Sequence, residues 1–235
     1  MSETIGRLLA VGNVAEVFEC GSRVLKLYRS AARKPTAFRE AAIHATVEAM
    51  GLPVPAVWGV QEVGGRWGIV FDRVSGASFA ERMQQDPSLA PECPEILARL
   101  HARIHTHPAH ELGRLKLRLT RNIARTSLLD EPRKQVLLSR VADMPEGDRL
   151  CHGDFHPINV LGQTSQPMVI DWPDACRGDP SADVLQILPF IEASRRGNRR
   201  ALPGRVLPHH PYIASDNCRL AALRRSGEAG GGRPQ

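Results

Sequence analysis

The feature that most limits the fold of this chain is a single change of hydrophobic period near residue 76. Before it, apolar and polar residues alternate in short runs over 5–11, 14–20, 23–28, 56–61 and 66–72. A period of two gives each run a core face and a solvent face, as strands require. Val11-Gly12-Asn13, Cys20-Gly21-Ser22 and Gly64-Gly65 supply turns between them. One helix interrupts the strands over 35–50, with Gly51 behind it and Pro53 beyond. From Ser78 the spacing turns helical: residues 94–107 line up Ile96, Leu97, Leu100 and Ile104, residues 128–141 carry a weaker stripe, and residues 179–190 resume the pattern. The expectation is an α+β chain with a small antiparallel β lobe over 1–75 and a larger helical lobe over 76–190.

Residues 191–235 form a third region. They hold nine arginines against Glu192, Asp216 and Glu228, together with Pro-His-His-Pro and Gly-Gly-Gly. The formal charge of +6 therefore sits in this stretch, and residues 1–190 carry as many acids as bases. A poorly ordered basic tail is expected there, with one short helix around 220–225. Aromatic residues are absent from it apart from Tyr212, which argues against a nucleic-acid arm. Five scattered cysteines, with no Cys-x-x-Cys pair, argue for reduced thiols and against a zinc site. No run approaches the roughly eighteen apolar residues of a membrane span, and the N-terminus lacks a secretory pattern. A cytoplasmic location follows as the expectation.

The chemistry concentrates in His152-Gly153-Asp154-Phe155-His156-Pro157-Ile158-Asn159, followed by Ile170-Asp171-Trp172. An Asp, four residues, an Asn and a later Asp is the order of groups used in kinase-type phosphoryl transfer. The first carboxylate can accept a hydroxyl proton, while an amide oxygen and a second carboxylate are hard ligands suited to Mg²⁺. The apolar runs on either side of residues 162–167 read as a hairpin. Pairing centred on Ser165 sets Asn159 directly opposite Asp171, at the open end beside the loop carrying Asp154.

Lys26 lies in the apolar strand Arg23-Val24-Leu25-Lys26-Leu27-Tyr28, where a charge needs a partner. On the helix that follows, at roughly 100° per residue, Glu40 falls within about 40° of the stripe of Ile43, Val47 and Met50. Glu48 falls on the solvent side. A core-facing carboxylate calls for a cation, and Lys26 is the nearest candidate. A plain structural ion pair would use the same residues. Gly12 and Asn13, in the first turn, occupy the position of a phosphate-covering loop. Asp72 and Val74, in the connector between the lobes, stand where a nucleotide base would meet the backbone. Position alone supports these four.

Together these residues resemble the aminoglycoside phosphotransferase family, small-molecule kinases with a bilobal, protein-kinase-like fold that include choline and homoserine kinase relatives. The resemblance rests on His152-Gly153-Asp154-x-x-x-x-Asn159, Ile170-Asp171-Trp172 and Gly178-Asp179-Pro180-x-x-Asp183, and covers about residues 5–190. It implies ATP and Mg²⁺ as cofactors, Asp154 as catalytic base, Asn159 and Asp171 as metal ligands, Lys26 on the phosphates and a small-molecule hydroxyl acceptor. His152 and Asp183 are expected to brace the catalytic loop, and Asp179-Pro180 to open a helix. The composition change places a departure from the family's course after about Gln186.

Other readings use fewer of these residues. A metal-dependent phosphoesterase would use Asp154-x-His156 and Gly178-Asp179, but needs several more histidines, whereas the downstream His209 and His210 lie in the atypical tail, and it leaves Lys26 and Glu40 without a role. A non-catalytic nucleotide-binding module is the other alternative. His101 and His105 share a helix face, but no nearby acid is expected to complete a metal site, so with His107 they are expected to be structural or solvated. Arg114, Lys116, Arg118, Arg121 and Arg125 read either as a solvated face or as a surface unsuited to polycationic acceptors.

Overall fold

The structure, a computed structural model, describes residues 5–29, 34–89 and 91–184. Strands β1 (Ile5–Val11), β2 (Ala15–Cys20), β3 (Arg23–Tyr28), β4 (Val57–Val63) and β5 (Arg66–Asp72) form one antiparallel sheet in the order β1-β2-β3-β5-β4. Gly64 and Gly65 turn the β4–β5 hairpin with φ of 57° and 74°, the left-handed pair that a two-residue hairpin turn demands. Helix α1 (Lys34–Ala49) joins β3 to β4 and lies against β4 and β5.

Alternation along β3 decides what each face receives. Leu25 and Leu27 pack with Cys20 and Val70, whereas Tyr28 packs with Ile69, Phe71 and Ala37 of α1. Lys26 stands between the two leucines and so shares the α1 side with Tyr28. On α1 the buried residues are Ala37, Glu40, His44 and Val47, the i, i+3, i+4 spacing of one helix face. Glu48 departs from its expected solvent role: its carboxylate accepts the Val57 N–H at 2.8 Å, tying α1 to the start of β4.

The second half is helical, with α2 (Phe79–Gln85), α3 (Glu92–His105), α4 (Leu115–Arg125), α5 (Glu131–Asp143) and α6 (Pro180–Val184). Two small ribbons interrupt it: β6 (Arg149–Cys151) with β9 (Cys176–Gly178), and β7 (Val160–Gln163) with β8 (Gln166–Val169). Ser78 opens α2 with a capping box, its hydroxyl accepting the Glu81 N–H while the Glu81 carboxylate accepts the Ser78 N–H. Helix α5 begins later than its stripe indicates, because Asp130 caps it by accepting the Arg133 N–H at 3.0 Å, which leaves Leu128 outside and exposed. The shift of α3 to Glu92–His105 is an end effect of two residues. Helix α6 starts behind Asp179, whose carboxylate accepts the Ser181 N–H at 2.8 Å. Its expected continuation to 190, the basic tail and the short helix at 220–225 lie outside the described residues.

The largest buried cluster draws Val47 from α1, Leu52 and Val54 beyond it, Phe79 from α2, five residues of α3, and Phe155, Val160, Val169 and Trp172. The loop and hairpin that carry the proposed chemistry therefore grow out of the core rather than lying on it. Among the described residues, no helix is long and apolar enough to cross a membrane.

Candidate active site

The hairpin register differs by one residue from the expected pairing. Val160 pairs with Val169 and Gln163 with Gln166, which leaves Thr164-Ser165 as a two-residue turn. Asn159 therefore faces Ile170, whose N–H donates to the Asn159 carbonyl at 2.9 Å, and Asp171 comes one residue later. The sequence cannot distinguish a turn centred on Ser165 from one centred between Thr164 and Ser165. Asp171 then takes φ = 64°, the one non-glycine residue in the left-handed region among those described. Such a conformation costs on the order of 1 kcal/mol or more. Neighbours hold it in place: Trp172 is fully buried and donates its indole N–H to the Val169 carbonyl at 3.1 Å.

Strand β6 delivers the loop carrying Asp154. Gly153 sits at φ = 83°, and a Cβ there would lie 2.4 Å from the Asp174 carbonyl oxygen, so only glycine fits. His152 is fully buried, and burial lowers its pKa despite nearby carboxylates, which leaves the ring neutral. Its Nε2 lies 3.1 Å from the Ile170 carbonyl, and its Nδ1 accepts the Asp154 N–H at 3.2 Å. These partners assign the Nε2–H tautomer. One imidazole thus fastens the Asp154 loop to the strand end that bears Asp171.

Asp183 supports the same loop from α6. It accepts the N–H groups of His152 and Gly153 at 2.8 and 2.9 Å, and lies 3.0 and 3.2 Å from Nε2 of His101 and His105. Burial alone would raise this carboxyl; the hydrogen bonds from His101 and His105 outweigh it and hold it far below the usual range. The expectation that no acid stands near His101 and His105 is thereby corrected. The acid is 78 positions beyond His105 and meets α3 only through tertiary packing.

Lys26 lies 2.7 Å from Glu40 and 2.6 Å from Asp171. The ion pair expected from β3 and α1 is present, and Asp171 joins it from the helical half. Tyr28, two residues along β3, donates its hydroxyl to the other Glu40 oxygen; its place beside Lys26 on the α1 face was the only sequence signal for this role. Burial would lower the Lys26 pKa, but the charges of Asp171 and Glu40 outweigh it and raise it. For Asp171 the order is similar: burial raises, Lys26 lowers, and the net shift is downward. Both groups are charged.

Asn159 is buried and donates Nδ2–H to the Asp154 carbonyl at 2.9 Å, which commits the amide nitrogen and leaves Oδ1 as the atom able to meet a cation. The Asp154 carboxylate is 40% exposed and has His156 Nε2 at 3.5 Å. Gly12 and Asn13 occupy the β1–β2 turn beyond the Tyr28 end of β3, with the Gly12 N–H closing on the Ala15 carbonyl at 2.8 Å. At Asp72 the N–H donates to the Ala56 carbonyl at 2.9 Å, and the carboxylate accepts the Trp58 indole N–H at 2.6 Å. Val74 is half-buried in the connector. The basic set on α4 is not one solvated face. Lys116 Nζ donates to the Ala142 and Met144 carbonyls that end α5, and the partly buried Arg118 packs against Asp174, whose carboxylate lies 3.1 Å away.

The model of a phosphotransferase enzyme family, APH, matches residues 8–209, running past Gln186. No curated protein matches the chain. Among solved structures it is similar to a thermostable mutant of aminoglycoside phosphotransferase APH(4)-Ia in ternary complex with ADP and hygromycin B. The TM-score is 0.63 at 18% identity, covering 96% of this chain and 90% of that one. It is also similar to APH(3'')-Id from Streptomyces rimosus in complex with ADP and streptomycin, with a TM-score of 0.57 at 20% identity, covering 87% and 90%. An aminoglycoside-3'-phosphotransferase of type VIII gives 0.54 at 22%, covering 100% and 89%. At such identities the likeness speaks to the fold, and it is the bilobal kinase-like arrangement of an antiparallel sheet above a helical lobe. Because the family match spans most of its length, the chain belongs to the phosphotransferase enzyme family.

Proposed function

We propose that this protein transfers the γ-phosphoryl group of ATP, or of another nucleoside triphosphate, to a hydroxyl of a small molecule. The observation that carries this reading is the 2.6 Å contact between Lys26 and Asp171, which joins the β lobe to the loop following β8. A lysine held by both a helix carboxylate and a loop carboxylate is placed to meet phosphate oxygens beside a cation. Glu40, itself oriented by Tyr28, keeps Lys26 extended.

Asp154 is the catalytic base. Its partly exposed carboxylate can take the acceptor's hydroxyl proton as that oxygen approaches phosphorus. The loop behind it is pinned by His152 and Asp183, so the carboxylate is positioned before the acceptor arrives. Asn159 Oδ1 and the Asp171 carboxylate are the hard oxygen donors fit to hold Mg²⁺. Bound there, the cation supplies neutralisation of charge on the transferring phosphoryl group. Gly12 and Asn13 cover the phosphates, while Val74 and the carbonyl of Asp72 face the base; these rest on place in the fold.

Asp154→Ala tests the assignment. The substitution is expected to lower kcat for ADP release in the presence of an acceptor by about 10²–10⁴-fold. Mg²⁺ and ATP should still raise the melting temperature. Turnover unchanged in this variant would end the assignment of Asp154.

A further inference from the structure

We propose that His101, His105 and Asp183 form a binding site for a borderline transition-metal ion such as Zn²⁺, separate from the hard-oxygen site at Asn159 and Asp171. The three ligand atoms lie within 4.8 Å of one another. Asp183 Oδ2 stands 3.0 Å from His101 Nε2 and 3.2 Å from His105 Nε2. A tetrahedral zinc with ligand bonds of about 2.0–2.1 Å separates its ligands by about 3.3 Å. Two of the three edges of such a site are therefore nearly formed.

Local chemistry agrees with the spacing. His101 and His105 are four apart on α3, so both imidazoles leave the same helix face, with ring centroids 4.2 Å apart. Stacking of His101 on Phe155, at 4.4 Å and 15°, fixes the first ring. The carboxylate is oriented by the N–H groups of His152 and Gly153, the kind of outer hydrogen bonding that holds metal ligands in place. Asp183 is almost fully buried, and a buried carboxylate flanked by imidazoles gains a counter-charge when a cation enters. The His105 side chain is 11% exposed and marks the side from which an ion and a completing water would enter. Each neutral imidazole meets the ion through Nε2 once its proton sits on Nδ1. Two nitrogens and one oxygen favour Zn²⁺, Co²⁺ or Ni²⁺ over Mg²⁺ or Ca²⁺. Through Asp183 the ion would stiffen the loop that carries Asp154.

The test is titration of the full chain with Zn²⁺ by calorimetry, in saturating Mg²⁺ so that the hard-oxygen ligands do not compete. One Zn²⁺ per chain is expected. His105→Ala should weaken binding by at least about tenfold, whereas His107→Ala, just beyond the end of α3 and outside the cluster, should leave it unchanged. His105→Gln keeps a hydrogen bond to Asp183 without the imidazole and should show the same loss with an unchanged circular dichroism spectrum. Co²⁺ should give the visible bands of a nitrogen–oxygen site without thiolate charge transfer. No uptake by the native chain, or uptake that survives His105→Gln and is lost in a His209→Ala, His210→Ala double variant, would overturn the proposal. Metal binding is read without phosphoryl transfer, so the outcome stands apart from the fate of Asp154.

Discussion

Asp183 is the side chain on which most of the site geometry converges. It receives two backbone N–H groups of the Asp154 loop and two imidazoles, all within 3.2 Å. Asp183→Ala should destabilise the protein by about 3–5 kcal/mol, because three buried polar groups and the partly buried His105 lose their partner at once; chemical denaturation would measure it. Lys26→Met should abolish the rise in melting temperature caused by Mg²⁺ and ATP, if Lys26 meets the phosphates. A full nucleotide-induced shift in that variant would remove Lys26 from the site. At this scale much was legible: a charge inside an apolar strand and a carboxylate on a core-facing helix stripe each demanded a partner, and the two found one another. The third member, Asp171, stood out in the sequence as a candidate ligand but not as the partner of Lys26, since 145 positions separate them.

At the scale of elements, the five-stranded sheet depends on close contact at Gly68. A Cβ there would lie 2.8 Å from both Leu25 Cδ1 and the Lys26 carbonyl oxygen, on the strand that presents Lys26. Gly68→Ala should cost about 1–3 kcal/mol by wedging β3 from β5. It should also raise the KM for nucleotide more than it lowers kcat, because the wedge acts on Lys26 and not on Asp154. Ser78→Ala, which deletes the α2 cap, should cost about 1 kcal/mol without that kinetic change. The strands of this sheet were readable because each runs for six or seven residues, long enough to carry a pattern. Strands β6 and β9, three residues each, carry too little pattern to be read, although they set the entrance and exit of the site. The register of the β7–β8 hairpin missed by one residue for a related reason: four-residue strands with Gly162 and Pro167 facing each other leave little patterning to choose between neighbouring turns.

For the whole molecule, acid stability follows from which buried groups resist protonation. His44 and His152 both have pKa values lowered in the fold, chiefly by burial. An unfolded chain takes up their protons near pH 6.5, where the folded chain does not. Their contribution is present above that pH and is lost as pH falls toward their depressed values, by up to about 1.4 kcal/mol per pH unit for each group. Asp171 and Asp183, also lowered, add a second loss below about pH 4. Denaturation midpoints should therefore fall in two steps on acidification, and His152→Gln should flatten the first. The sequence by itself determined the order of the strand-rich and helical halves and their longer elements, and singled out Lys26, Glu40, Asp154, Asn159 and Asp171 as candidates, because periodicity and uncompensated charge are local properties. Only the tertiary structure decided the hairpin register, the left-handed turn at Asp171 and the meeting of Asp183 with His101 and His105. Those depend on which distant surfaces pack together, and packing is a property of the assembled core.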